Sequence, residues 1–123
     1  MKDVIIIVLI IIVVIAGNII SQKMLKDDSE KIIEKLEILK QELNNQQALS
    51  LAEEINKLWE ETENKWSIII FHQELDSIKT SIIAVKSSLE SGDISYSYQQ
   101  IENSIFLVGH IKEKWSLKWK NVF

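Results

Sequence analysis

The chain has 123 residues, no cysteine, no proline and a formal net charge of −4. The lack of cysteine excludes disulfides and thiolate metal sites, and the lack of proline removes one cause of helix kinks. All fourteen basic residues are lysine, so the arginine forks that bind phosphates and base edges are absent, and the acidic charge also argues against nucleic acid as a partner.

An apolar run over residues 4–20 opens the chain, and only Gly17 and Asn18 interrupt it. In a helix this run would measure about 25 Å, which is near the lower limit for crossing a bilayer. We expect residues 1–22 to form an uncleaved signal anchor in the cell membrane. Two alternatives stay open, a signal peptide cleaved after Ala16 and a core helix of a soluble protein.

The orientation of this anchor receives two opposing signals. Lys2 precedes the run, whereas Lys23 and Lys26 come closely after it, and the positive-inside rule would keep the C-terminal side in the cytoplasm. A short leader before an apolar run is, however, also the arrangement of an anchor that exports its C-terminal domain. We expect an extracytoplasmic C-terminal domain, and protease accessibility in intact cells would test this orientation.

Residues 23–123 predict a single helical domain. Asp27 and Glu30 have the spacing of a capping box, Asn44 and Asn45 indicate a break, and Gly92 suits a C-terminal cap. We predict an all-α chain with one N-terminal transmembrane helix followed by an antiparallel bundle of about four amphipathic helices. The apolar positions that define these helices are Ile32, Ile33, Leu36, Leu39 and Leu43; Ala48, Leu51, Ala52, Ile55, Leu58, Trp59, Thr62 and Trp66; Phe71, Leu75, Ile78, Ile82, Val85 and Leu89; and Ile94, Tyr98, Ile101, Ile105 and Val108.

The charge is distributed unevenly along this domain. Residues 23–109 contain nine lysines and sixteen acids, a balance of −7, whereas residues 110–123 contain four lysines and one acid, a balance of +3. We predict a basic C-terminal helix over residues 110–123 in which Trp115 and Trp119 lie on one stripe. This helix is expected to dock on the acidic bundle, and the alternative is an interfacial segment on anionic lipid.

The segment around His72 contains the densest mixture of apolar and ionisable side chains. His72 and Asp76 are four residues apart and share a helix face, whereas Glu74 points away from both. A histidine–carboxylate pair can orient an imidazole or hold part of a metal site, but His110 is the only other histidine. We therefore expect a partly buried, hydrogen-bonded His72 and no catalytic, cofactor or metal site.

Trp59 and Trp66 are seven residues apart and lie on the same face of the second bundle helix. Core packing with the indole N–H satisfied at the edge is the expected role of this pair. An aromatic cage for a ligand is the alternative.

Several segments carry a resemblance to a known family: the tryptophan pair, HQELDSIK at 72–79, FLVGHI at 106–111 and the ending KNVF. The chain resembles the bacterial "domain of unknown function 4363" family of short membrane-anchored proteins, mainly from spore-forming Firmicutes. Its WSLKW tail replaces a more acidic stretch associated with that family. The resemblance implies a single-span, exported helical domain of unknown activity, and it adds interest, without a role, to His72, Glu74, Asp76, Ile78 and His110.

The expected function is a membrane-tethered helical interaction or assembly module in the bacterial envelope, without enzyme activity and without a cofactor. Its expected partners are the lipid bilayer, through residues 4–20, and another envelope protein, and self-association is left open. The alternative function is an extracytoplasmic sensor that binds a small ligand or a metal near His72.

Overall fold

The computed structural model describes the backbone of residues 1–122 and the side chains of residues 1–115. This part of the chain forms four α-helices and no strand, which confirms the all-α prediction. The helices are α1 (Lys2–Gln41), α2 (Ala48–Trp66), α3 (His72–Glu90) and α4 (Ile94–Val122).

The first helix is a single rod of 40 residues, about 60 Å long. The predicted anchor and the first bundle helix are thus one element, and the domain boundary expected after residue 22 lies inside α1. No proline interrupts the rod, and one internal glycine costs only about 1 kcal/mol. The capping box predicted at Asp27 and Glu30 is therefore wrong, because the helix passes through these residues without starting there.

Each helix packs against its neighbours in the chain, and α1 also packs against α4, which closes a ring of four. Gln22, midway along α1, donates from Nε2 to the carbonyl of Trp115 late in α4, whereas Lys40, near the end of α1, bonds Glu102, which comes earlier in α4. This pairing makes α1 and α4 antiparallel. The anchor end of the bundle therefore holds residue 22, the α2–α3 connection (residues 67–71) and residue 115, and the far end holds the other two connections.

The α1 stripe that faces the core steps by four and three residues, the spacing of interlocking helices. It begins at Leu25, seven residues before Ile32, the first position predicted from the sequence. It also includes the fully buried Ser29, whose Oγ has no hydrogen-bond partner among the described residues. Residues 1–20 are exposed apart from the partly exposed Ile15. The second half of α1 therefore packs in the bundle, and its first half, residues 1–20, extends away from the bundle into solvent.

The breaks between helices follow the polar signals in the sequence. The helix ends before Asn44 and Asn45, as predicted. At the end of α3, Gly92 has a φ of +78°, and the N–H of Asp93 donates to the carbonyl of Ser88 at 2.8 Å, which is a Schellman cap. The Asp93 carboxylate then accepts the N–H of Tyr96 and caps the start of α4.

Two apolar stripes differ from the prediction. Phe71 precedes α3 in extended backbone and is 68% exposed, and Ile70 takes the buried position beside it. In α4, Ile94 and Tyr98 are exposed. The α2 stripe is as predicted: six of its eight positions are buried, and the other two, both leucines, pack partly against the core.

Serine side chains hold α3 against α4. Ser81 Oγ lies 2.8 Å from Ser104 Oγ and 3.1 Å from the carbonyl of Gln100, and it accepts a hydrogen bond from Asn103 Nδ2 at 3.1 Å. Two further serines form a buried pair with their hydroxyls 2.7 Å apart: Ser88, seven residues after Ser81 in α3, and Ser97, seven residues before Ser104 in α4. These small polar side chains occupy core positions that an apolar pattern does not predict.

Substitution of Ser81 by alanine is expected to lower the free energy of unfolding by about 1–3 kcal/mol, because the partners on α4 would stay buried without their bond to Ser81. Urea unfolding followed by circular dichroism measures this change. Ser77→Ala is the matched control, since Ser77 is exposed and its hydroxyl donates to the carbonyl of Gln73 in its own helix. Equal unfolding midpoints for the two variants would contradict a structural role for the serine network.

Exposed ion pairs join α1 to its neighbours. Lys35 donates to Glu54 on α2, and this hydrogen bond holds the pKa of the Glu54 carboxyl below its ordinary value. Lys40 donates to Glu37 and Glu102, and these bonds raise the pKa of Lys40. Such exposed ion pairs add little to stability. We therefore attribute the packing of α1 against the bundle mainly to its apolar stripe.

Candidate functional site

The two tryptophans of α2 lie in the core. Trp59 and Trp66 are both fully buried, with ring centroids 5.7 Å apart and planes at 89°, an edge-to-face contact that aromatic rings favour. The core packing expected for this pair is therefore observed. The indole N–H of Trp59 has no partner among the described residues.

Asp28 on α1 connects the tryptophan core to the surface. Its carboxylate accepts the indole N–H of Trp66 at 3.2 Å and lies 3.1 Å from the Lys65 ammonium. The Asp28 side chain is only 17% exposed, so both bonds are partly shielded from water. This arrangement fixes the end of α2 against α1, and nothing in the apolar pattern of the sequence singled out Asp28.

His72, Glu74 and Asp76 do not form one site. His72 is the first residue of α3 and is exposed, and no hydrogen bond joins it to the exposed Asp76 among the described residues. The expectation of a partly buried, hydrogen-bonded His72 is thus wrong, because the helix starts at His72 and leaves its side chain in solvent. Glu74 turns towards α4, where its Oε1 lies 2.8 Å from the Lys114 ammonium and its Oε2 is buried without a partner in the described part of the chain.

The described residues contain no group of three or more histidine, cysteine or carboxylate side chains with the geometry of a metal site. A ligand or metal sensor built around His72 stays a prediction. Calorimetry of the full chain with divalent metals would test it, with His72→Ala as the comparison.

His110 lies on the outer surface of α4, stacked on Phe106. The two rings have centroids 6.1 Å apart and are inclined by 17°. Phe106 is 67% exposed, and it lies opposite the buried Ile101 and Val108 on the helix circumference at 100° per residue. An aromatic pair is thus displayed to solvent on the side of the bundle.

The start of the basic tail docks on the acidic bundle. Ile111 is buried and Trp115 packs partly against the core. Lys112 lies 3.2 Å from Glu30 on α1, and Lys114 pairs with Glu74 on α3. The predicted docking is confirmed for these residues, although they continue α4 and do not begin a separate helix, and Trp119 lies outside the side chains that the structure describes.

A shallow groove of about 450 Å³ lies between α3 and α4. Hydroxyls, amides and one carboxylate line it, and these groups can form hydrogen bonds to a polar molecule but present no nucleophile beside a base. Its lining consists of Asp76, Ser77, Thr80, Ser81, Gln100, Asn103 and Leu107.

Comparison with known proteins decides the family of this four-helix chain. The family model described as "Domain of unknown function (DUF4363)" matches residues 19–122. The chain belongs to this family. No curated protein and no solved structure matches it. The DUF4363 match covers the bundle and leaves out most of the apolar run.

Within this DUF4363 bundle, the sequence analysis did not identify Asp28 or the exposed position of Phe106. Asp28 is a charged residue one position from the buried Ser29, on a helix with many charged side chains, and its sequence context gave no distinctive signal. Phe106 was detectable, because a helical projection centred on Ile101 and Val108 places it on the solvent side.

Proposed function

We propose that this protein is a single-pass, membrane-tethered interaction module whose bundle lies outside the cytoplasm and binds another envelope protein. The free half of α1 supports the tether. This helix contains a segment with a mean hydropathy of 3.2, none of which is buried. An exposed apolar rod of this length is stable in a bilayer, where every backbone group is bonded within the helix.

The observation that carries the interaction role is the exposed stack of Phe106 and His110. Aromatic side chains are enriched at protein interfaces because they bury a large area at a small cost in conformational entropy. Phe106 makes its ring contact with another surface residue, so a partner could cover it without disturbing the core. We infer that the partner packs across the outer face of α4.

Photo-crosslinking in native membranes tests this proposal. A photoreactive amino acid at position 106 is expected to capture one predominant protein, whereas the same group at position 60, an exposed position on α2, is expected to capture little of it. The identified protein should also copurify with the tagged wild-type chain. Phe106→Ser should lose this copurification while its abundance in the membrane stays unchanged.

Two results would overturn the interaction role. One is capture of lipid alone at position 106, and the other is an identical set of proteins captured at positions 106 and 60. The Phe106→Ser variant is a suitable test because the exposed Phe106 side chain contributes little to the core, so a loss of copurification would not follow from unfolding.

A further inference from the structure

The two ends of the bundle differ in the character of their connections. At the anchor end, the α2–α3 connection displays Ile68, which is 85% exposed, and Phe71, which is 68% exposed. The far-end connections display mainly polar side chains such as Asn44, Gln46 and Asp93. Exposed isoleucine and phenylalanine in one short connection are costly in water, and the contrast between the connections indicates that this one meets an apolar surface.

The helix contacts place this connection close to the predicted bilayer surface. Trp66, just before the connection, bonds Asp28, and Asp28 lies about 12 Å along α1 from Ile20, the last residue of the apolar run. The headgroup region on each side of a bilayer is roughly 5–8 Å thick. Ile68 extends beyond Trp66 at the anchor end and is thus within reach of the interface.

Lysines surround a cleft at the same end. Gln22, Lys23, Leu25, Lys26 and Lys112 line a cavity of about 380 Å³. Lys112 is paired with Glu30, whereas Lys23 and Lys26 are exposed and form no ion pair within the described part of the chain. Ammonium groups beside a membrane surface attract anionic lipids, at roughly 1 kcal/mol for each.

We propose that the anchor end of the bundle docks on anionic phospholipid, with Ile68 and Phe71 in the interfacial layer and Lys23 and Lys26 against lipid phosphates. This inference rests on the proposed tether, because α1 must first hold the bundle at a bilayer. Apolar side chains flanked by lysines are the composition of interfacial membrane segments. The bundle would then be held at the membrane by three elements, α1, the α2–α3 connection and the lysine cleft.

Depth measurements on the full chain in vesicles test the docking. Because the chain has no cysteine, single fluorophores can be attached at Ile68→Cys, Gln46→Cys and Ile10→Cys. In vesicles of phosphatidylcholine and phosphatidylglycerol, lipids with a nitroxide near the headgroup should quench the probe at position 68 and leave the probe at position 46 bright. Phe71→Cys provides a second probe position in case the Ile68 substitution disturbs the connection.

The probe at position 10 separates this inference from the tether. Quenching at position 10 by nitroxides deep in the bilayer, without quenching at positions 68 and 71, would overturn the docking and leave the tether intact. An unquenched probe at position 10 would overturn both proposals.

The lysines are tested by their dependence on lipid charge. Quenching at position 68 should fall when phosphatidylglycerol is omitted, and it should fall to the same level in the double variant Lys23→Gln/Lys26→Gln. The control Lys57→Gln/Lys79→Gln makes the same change in net charge at exposed positions elsewhere on the bundle and should behave as the wild type. Equal quenching in both double variants would overturn the role of the lysine cleft.

Discussion

Replacement of Trp66 by alanine is expected to lower the free energy of unfolding of the bundle by about 3–5 kcal/mol. Trp66 is fully buried, packs edge-to-face on Trp59 and donates its N–H to Asp28. Alanine would remove the ring and leave a cavity, and it would also take a hydrogen bond from a carboxylate that is largely shielded from water. Urea unfolding of the full chain in detergent micelles, followed by circular dichroism, measures the change.

Phe106→Ala is the matched control for Trp66→Ala. It also removes an aromatic ring, but the ring is exposed, so its effect should stay within about 0.5 kcal/mol. Trp66→Phe separates the two contributions, because phenylalanine keeps much of the ring and cannot donate to Asp28. A Trp66→Ala variant as stable as Phe106→Ala would show that the tryptophan pair does not organise the core.

If the apolar half of α1 is the proposed membrane tether, arginine at Val8 and Ile12 together is expected to release the protein from the membrane. Both residues lie in the exposed, apolar half of α1, and an arginine near the centre of a membrane helix costs about 2.5–3.5 kcal/mol. The double variant would therefore weaken insertion by about 5–7 kcal/mol. Flotation of cell membranes in a density gradient after alkaline extraction measures the fraction that remains inserted.

The control for this experiment keeps the added charge but moves it away from the run. Arginine at Ser50 and Gln46, two exposed positions at the far end of the bundle, should leave the protein in the floating fraction. If the Val8/Ile12 variant floated as completely as this control, the apolar half of α1 would not be the element that holds the protein at the membrane.

The sequence predicted those parts of the fold that depend on local signals. Asn44 and Asn45 mark a break, and Gly92 has the positive φ that its lack of a side chain allows. The α2 stripe was predictable because large apolar side chains recur there at helical spacing without competing polar residues. Each of these features is determined by side chains within a few positions of one another.

Features that depend on residues far apart in the chain could not be predicted from the sequence. Ser104 is buried because Ser81, 23 positions earlier, supplies a partner for its hydroxyl, and an apolar pattern assigns serine to the surface. Ile70 and Phe71 are equally apolar, and only the turn that precedes α3 decides which one enters the core. Likewise, Glu74 turns to Lys114 because α4 passes beside it, so its role could not follow from its spacing to His72.

The continuity of α1 sets the rotational relationship between the bundle and the apolar half of this helix. Because no break separates the two halves of α1, each face of the bundle has a fixed azimuth relative to the faces of the apolar half. One added residue near position 22 would turn the bundle by about 100°, whereas seven added residues would return it to within about 20° of its starting direction. In the proposed tethered protein, the outer face of α4 with Phe106 would therefore point in one direction within the plane of the bilayer, and a tilt of α1 would move the whole bundle as a rigid body.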